Sequence, residues 1–236
     1  MKALVLMSGG VDSSTALGMA VDRYGKENVI ALSVSYGQKH DKEIRAAEAV
    51  TAHYGVEQMF LDLSRIFEYS NCSLLQQSTD EIPQSSYSKQ ISETGGQKPV
   101  STYVPFRNGL FLSSAASIAL SRDCGVIFYG AHADDAAGAA YPDCSPVFNN
   151  AMNQAIWEGS GHQVRIEAPF VNMNKADIVK TGLELGVPYE LTWSCYEGKD
   201  EPCGKCGTCI DRAAAFAANG VADPAIRMRR KGECKE

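Results

Sequence analysis

The feature that most constrains the fold is the junction at residues 2–24. A short apolar run, Lys2–Met7, passes through Ser8-Gly9-Gly10-Val11-Asp12-Ser13 into a helical pattern over Ser13–Tyr24, in which Ala16, Leu17, Met19, Ala20 and Val21 supply a buried face. Val29–Tyr36 reads as a second strand, Asp41–Tyr54 as a helix rich in Ala and Glu, and Glu57–Leu63 as a third strand. Strands alternating with helices predict a parallel sheet flanked by helices, because only a helical crossover returns the chain to start a parallel neighbour.

The pattern breaks at Asn71–Thr102, which is rich in Ser, Gln, Thr and Gly. A segment this long inside a compact domain is a substrate-side flap, an interface segment or a disordered insertion. Periodicity resumes with a helix over Asn108–Arg122, a strand over Val126–Ala131, a polar loop over His132–Cys144, a helix over Pro146–Gly159, a strand over Val164–Phe170 and a helix over Lys175–Leu185. Trp193–Thr208 is rich in Cys and Gly, and Cys209–Ala218 closes the chain as a helix. Residues 1–190 are read as one α/β domain, and 191–236 as a small C-terminal region packed on it.

The 236 residues are 44% hydrophobic, enough for one substantial core, and carry a net charge of -6. That balance argues against non-specific nucleic-acid binding, which needs Lys and Arg to neutralise phosphates. The basic run Arg227–Lys231 reads as a solvated tail. No apolar stretch is long enough to span a bilayer, and the N-terminus lacks the apolar core of a signal peptide, so a cytoplasmic location is expected. Eight cysteines in such a chain favour metal binding or free thiols over a disulfide framework.

Ser8–Ser13 stands between a strand and a helix, where free N–H groups and the helix dipole attract anions. Two glycines let the backbone approach phosphate closely, and Ser8 and Ser13 add hydroxyls. Asp12 suits a helix cap or a Mg²⁺ ion bridging phosphates. An ordinary capped turn is the alternative, but six specified positions favour phosphate binding. The chain has no G-x-x-x-x-G-K-[ST] loop, and Gly159-Ser160-Gly161 lacks the third glycine of a dinucleotide fingerprint.

Cys195, Cys203, Cys206 and Cys209 have the spacing C-x7-C-x2-C-x2-C. Four thiolates around one point fit a closed structural Zn²⁺ site, with an iron–sulfur cluster as the rival. Cys72, Cys124, Cys144 and Cys234 are isolated and read as ordinary thiols; Cys144 falls in a candidate active-site loop. Arg107 offers a planar fork of donors to phosphate or carboxylate, or else a surface ion pair. Asp134 and Asp135 follow the fourth strand, as paired acceptors for a guanine-like ring or as turn residues. Lys175 opens a helix and is either a phosphate contact or simply exposed.

Ser8-Gly-Gly-Val-Asp-Ser13 resembles the pyrophosphate loop of the PP-loop, or N-type, ATP pyrophosphatases. The same loop, then Pro105-Phe-Arg107-Asn108, Tyr141-Pro-Asp-Cys144, Thr192-Trp-Ser-Cys195-Tyr196 and Cys203-Gly-Lys-Cys206-Gly-Thr-Cys209 in this order resemble the 7-cyano-7-deazaguanine synthase family. The resemblance runs from the first strand to about Arg212. It implies a PP-loop, Rossmann-type parallel sheet and the conversion of 7-carboxy-7-deazaguanine, ATP and ammonia to the nitrile through adenylated carboxylate and amide. It assigns Ser8, Gly9, Gly10, Val11, Asp12, Ser13 and Ser14 to ATP; Asp12 to Mg²⁺ or loop geometry; Arg107 and Lys175 to phosphate or carboxylate charge; and Asp135 and Asp143 to the base. A homodimer is the expected assembly. A tRNA-thiolating PP-loop enzyme and a non-catalytic zinc-bound nucleotide-binding module remain the alternatives.

Overall fold

The computed structural model describes residues 1–93, 95–96 and 98–226. The basic run Arg227–Lys231 and Cys234 lie outside the described residues. Five strands, β1 (Lys2–Leu6), β2 (Val29–Ser35), β3 (Glu57–Asp62), β4 (Cys124–Phe128) and β5 (Arg165–Glu167), form one sheet in the order β3-β2-β1-β4-β5. Every pairing is parallel. The helices are α1 (Val11–Tyr24), α2 (Lys42–Tyr54), α3 (Tyr87–Glu93), α4 (Arg107–Ser121), α5 (Ala133–Ala136), α6 (Pro146–Gly159), α7 (Lys175–Glu184) and α8 (Gly207–Ala218). None of them is long and apolar enough to cross a membrane.

Both sheet faces are covered, which is why β1 reads as continuous Ala-Leu-Val-Leu and not as an alternation. Ala3 and Val5 pack with Leu17 of α1, Val50 of α2, Ile178 of α7 and Phe216 of α8. Leu4 faces the opposite way and packs with Leu112 and Ala115 of α4 and Ile156 of α6. Strand order reverses beside β1, since β2 lies to one side of it and β4 to the other. The carboxyl ends of β1 and β4 therefore open a crevice, the usual ligand position in such sheets.

The structure trims several expected elements. β4 runs Cys124–Phe128 and not Val126–Ala131: Lys2 pairs with Cys124, while the chain leaves the sheet before Gly130 to flank the crevice. β5 keeps only Arg165–Glu167 of Val164–Phe170, since at this edge it pairs with just Val126–Phe128. The loop 71–102 is built into the molecule. Gln38 bridges Leu75, and Leu74 and Leu75 are buried with Tyr36, Phe67 and Val104. This segment also supplies α3.

Candidate active site and cysteine centre

A cavity of about 230 Å³ lies at the carboxyl ends of the strands. Its lining includes Ser8, Gly10, Asp12 and Ser13 from the loop after β1, Glu43 from α2, Arg107 from α4, His132, Asp134 and Asp135 after β4, Lys175 from α7 and Asp211 from α8. Most of the charged residues expected at a site thus meet in one place.

The loop after β1 is held by its own side chains. The Ser8 and Ser13 hydroxyls share a hydrogen bond of 3.0 Å, and the Ser8 N–H donates to Ser13 Oγ at 3.2 Å. The two glycines do different jobs. Gly10 faces the cavity. Gly9 has φ +86°, and a Cβ there would sit 2.3 Å from the Glu43 carbonyl and 2.6 Å from the Ala47 nitrogen. It is required because the loop presses on the α2 backbone. Val11 and Ser14 are buried in α1 and do not line the cavity.

Asp12 sits in the first turn of α1 with its carboxylate engaged across the crevice. Lys175 Nζ donates to Asp12 Oδ2 at 2.5 Å, and His132 Nε2 lies 3.8 Å from the same oxygen and 3.3 Å from Asp135 Oδ2. Burial pushes the Asp12 carboxyl up, but Lys175 and His132 outweigh it and hold the carboxyl below its ordinary value. Gly130 makes this approach possible, since a Cβ there would meet the Asp12 Cβ at 3.0 Å. Lys175 is fixed by a capping box: Asn174 accepts from the Asp177 N–H, while Asp177 accepts from the Asn174 N–H. The Lys175 N–H donates to Asp134 Oδ2 at 2.8 Å. On the same side, burial first, with Asp134 and Asp135 nearby, pushes the Asp211 carboxyl up to about 6.

Arg107 starts α4 after Phe106, a non-glycine residue at φ 54°. Such backbone costs on the order of 1–3 kcal/mol and persists only where surroundings enforce it. The Arg107 guanidinium lies 5.0 Å over the Tyr36 ring and 5.9 Å over the Phe111 ring. Asp143 is buried behind the lining: its Oδ2 accepts from the Asn108 N–H at 2.9 Å, capping α4. Cys144 lines the cavity, but burial pushes its thiol well above the ordinary value, with Asp135 and Asp143 adding to the effect. That is the reverse of an activated sulfur nucleophile.

The roof of the cavity joins two parts of the chain that are distant in sequence. Tyr87 of α3 and Tyr196 of the cysteine segment both line it, and their hydroxyls share a hydrogen bond of 2.7 Å. Tyr87 also packs edge-on to Tyr141 at 5.6 Å. His132, Tyr87, Asp211 and Glu43 received no individual role from the sequence. The position of Glu43 and His132 was readable, since each follows a strand's carboxyl end, whereas the Tyr87–Tyr196 contact spans a fold and has no local signal.

Cys195, Cys203, Cys206 and Cys209 place one sulfur each within 4.8 Å of all the others. Tetrahedral ligands about 2.3 Å from one ion stand roughly 3.8 Å apart, so this set fits a single cation with little adjustment. The inorganic core of an iron–sulfur cluster would hold the sulfurs further apart. Backbone N–H groups of Lys205 and Cys206 donate to Cys203 Sγ at 3.4 and 3.3 Å, and Cys203 N–H donates to Cys195 Sγ at 3.3 Å. Such donors stabilise thiolate ligands. Trp193 joins this centre to the loop after β1, donating its backbone N–H to the Gly9 carbonyl at 2.9 Å. Below it, Arg212 is buried with bidentate bonds to Asp223 at 2.6 and 2.8 Å and donates to Thr192 Oγ1 at 2.8 Å. Cys72, Cys124 and Cys144 are buried free thiols.

The parallel sheet of Rossmann-like order thus carries a Ser/Gly loop and opposed acids and bases at its switch point, where such α/β folds bind their ligands. A family profile described as "Queuosine biosynthesis protein QueC" matches residues 2–220, and the chain belongs to this family. It is 44% identical over 227 residues to the 7-cyano-7-deazaguanine synthase of Archaeoglobus fulgidus, covering 96% of this chain and 90% of that protein. It is 44% identical over 229 residues to the synthase of the same name from Thermoplasma volcanium, covering 94% and 89%. It is 39% identical over 223 residues to that of Psychromonas ingrahamii, covering 94% and 96%.

Proposed function

We propose that this chain is an ATP-dependent carbon–nitrogen ligase that converts 7-carboxy-7-deazaguanine and ammonia to 7-cyano-7-deazaguanine. The observation that carries the reading is the family match over residues 2–220, joined to a cavity where the Ser8–Ser13 loop, Arg107, Asp135 and Lys175 converge. A carboxylate is a poor electrophile because oxide is a poor leaving group. Adenylation replaces it with AMP, ammonia displaces AMP to give the amide, and a second adenylation on the amide oxygen leads to the nitrile.

In this reading Ser8, Gly9, Gly10, Val11, Asp12, Ser13 and Ser14 form the ATP loop, Gly9 by its fit against α2 and Val11 and Ser14 by anchoring the loop in α1. Lys175 and Arg107 neutralise phosphate and carboxylate charge, which is electrostatic stabilisation by groups already in position. Asp12, which is paired with Lys175, would hold Mg²⁺ with ATP, and the ion would supply charge neutralisation at the phosphates. Asp135 contacts the base directly, while Asp143 acts on it through Asn108 and Cys144. The four cysteines hold Zn²⁺; with four protein ligands it has no open position for substrate and serves the fold. Residues 1–190 form the catalytic domain and 191–236 its metal-clamped cover. The working assembly is a cytoplasmic homodimer without nucleic-acid partners.

Incubation with Mg-ATP, ammonium and 7-carboxy-7-deazaguanine, followed by mass spectrometry, is the test. Amide and then nitrile should appear with AMP, and Asp12→Ala should abolish both. AMP release only with another acid would overturn the substrate assignment.

A further inference from the structure

Each half of the proposed reaction must remove protons from nitrogen. Ammonium at neutral pH has four N–H bonds and the amide has two. As the C–N bond forms, the acyl–oxygen bond breaks, AMP leaves with the electron pair, and two protons leave nitrogen. In the second half, adenylation of the amide oxygen gives an imidate with two N–H bonds. Both protons leave as AMP departs and the nitrile forms. A carboxylate free to accept protons, placed beside the anion-binding groups, is therefore needed.

The cavity floor does not offer one. Asp12 is engaged by Lys175, Asp134 accepts from the Lys175 N–H, and Asp135 faces His132. Asp211 makes no hydrogen bond or ion pair among the described residues either, but its carboxylate lies among Lys175, His132, Asp134 and Asp135, groups already assigned to ATP and the base. Glu43 differs. It lines the cavity from the first turn of α2, directly beside the Ser8–Ser13 loop that Gly9 presses onto that helix. Its carboxylate makes no hydrogen bond or ion pair among the described residues. The other charged groups of that turn point elsewhere: Lys42 pairs with Asp200 at 3.6 Å and Arg45 with Asp41 at 2.7 Å. The groups that face Glu43 from other elements are Arg107 of α4 and Tyr36 at the end of β2.

We propose that Glu43 is the ammonium-receiving group and the proton acceptor at nitrogen, with Arg107 holding the substrate's anionic group alongside it. The inference rests on the ligase reading above. Ammonium binds to the free carboxylate, gives up one proton to it, and attacks as ammonia. Glu43 passes that proton to solvent through the open cavity and then takes the next. Burial, opposed only by Arg107, raises the Glu43 carboxyl to about 7, so it takes and releases protons near neutrality.

The test separates adenylation from amination in Glu43→Gln. Exchange of labelled pyrophosphate into ATP, driven by 7-carboxy-7-deazaguanine, needs no ammonia and should persist. Amide formation should fall about 10²-fold or more. The residual rate in Glu43→Gln should climb with pH in proportion to free ammonia, whereas the wild-type rate levels off above about pH 7. Glu43→Asp should recover part of the loss. Wild-type amination by Glu43→Gln, or loss of exchange in parallel with amination, overturns the proposal. Absence of exchange in the wild-type protein would instead overturn the ligase reading on which it rests.

Discussion

The floor and the roof of the cavity are built in different ways. The floor is local: a loop after β1, a turn after β4 and the capped start of α7 each place one or two side chains by backbone geometry. The roof is made of pieces distant in sequence, Tyr87 and Tyr196, and one of them depends on a cluster of cysteines for its position. Secondary structure alone can hold a floor of this kind. A roof of this kind needs a cross-link, and here four sulfurs are gathered closely enough to hold a cation that would serve as one.

The strongest way to break this contrast is to remove the ion. Structural zinc supplies on the order of 10 kcal/mol to small metal folds. Chelation, or Cys206→Ser, should abolish hydrogen-exchange protection over residues 193–212 while the strands keep theirs. Equal loss in both regions would mean that floor and roof are one unit. Next is Arg212→Met, which leaves the Asp223 carboxylate buried and unpaired at a cost of about 3–5 kcal/mol. Its signature is a lower melting temperature with pyrophosphate exchange retained per folded molecule.

The floor is probed by Lys175→Met, with a fall in adenylation of about 10²–10³-fold and little change in melting temperature. Tyr87→Phe removes one roof hydrogen bond, at about 1 kcal/mol, or roughly 2–4 °C for a chain of this size. The last effect depends on pH. The Glu43 carboxyl rises on folding from 4.5 to about 7, so its contribution to stability is complete below pH 4.5 and is lost as pH rises through 7. Glu43→Gln lacks this loss, and its melting temperature relative to wild type should increase between pH 5 and pH 8.

The contrast also explains what the sequence could tell. The floor was legible because strand, loop and helix succeed one another within a few residues, and ligands gather at strand carboxyl ends. Asp12, Asp135 and Lys175 follow from that rule. Glu43 obeys it too, but in a helix rich in Ala and Glu its charge reads as solvated surface. The cysteine centre was legible because ligand spacing is itself a local signal. The tyrosine roof was not, since Tyr87 sits in a polar stretch whose partner is 109 positions away. Element ends also shifted: α1 begins at Val11 and α8 at Gly207, each ahead of the expected start, because apolar periodicity marks the packed face and not the first turn.

The hydrogen bond from the Trp193 N–H to the Gly9 carbonyl has a consequence for the order in which the protein comes into being. Gly9 leaves the ribosome 184 residues ahead of Trp193. A nascent chain can pair β1 with β2 early, yet the loop after β1 gains this backbone partner only once the cysteine segment has emerged. Closing of that loop is thus a late event, and it comes from the cysteine segment and not from the sheet.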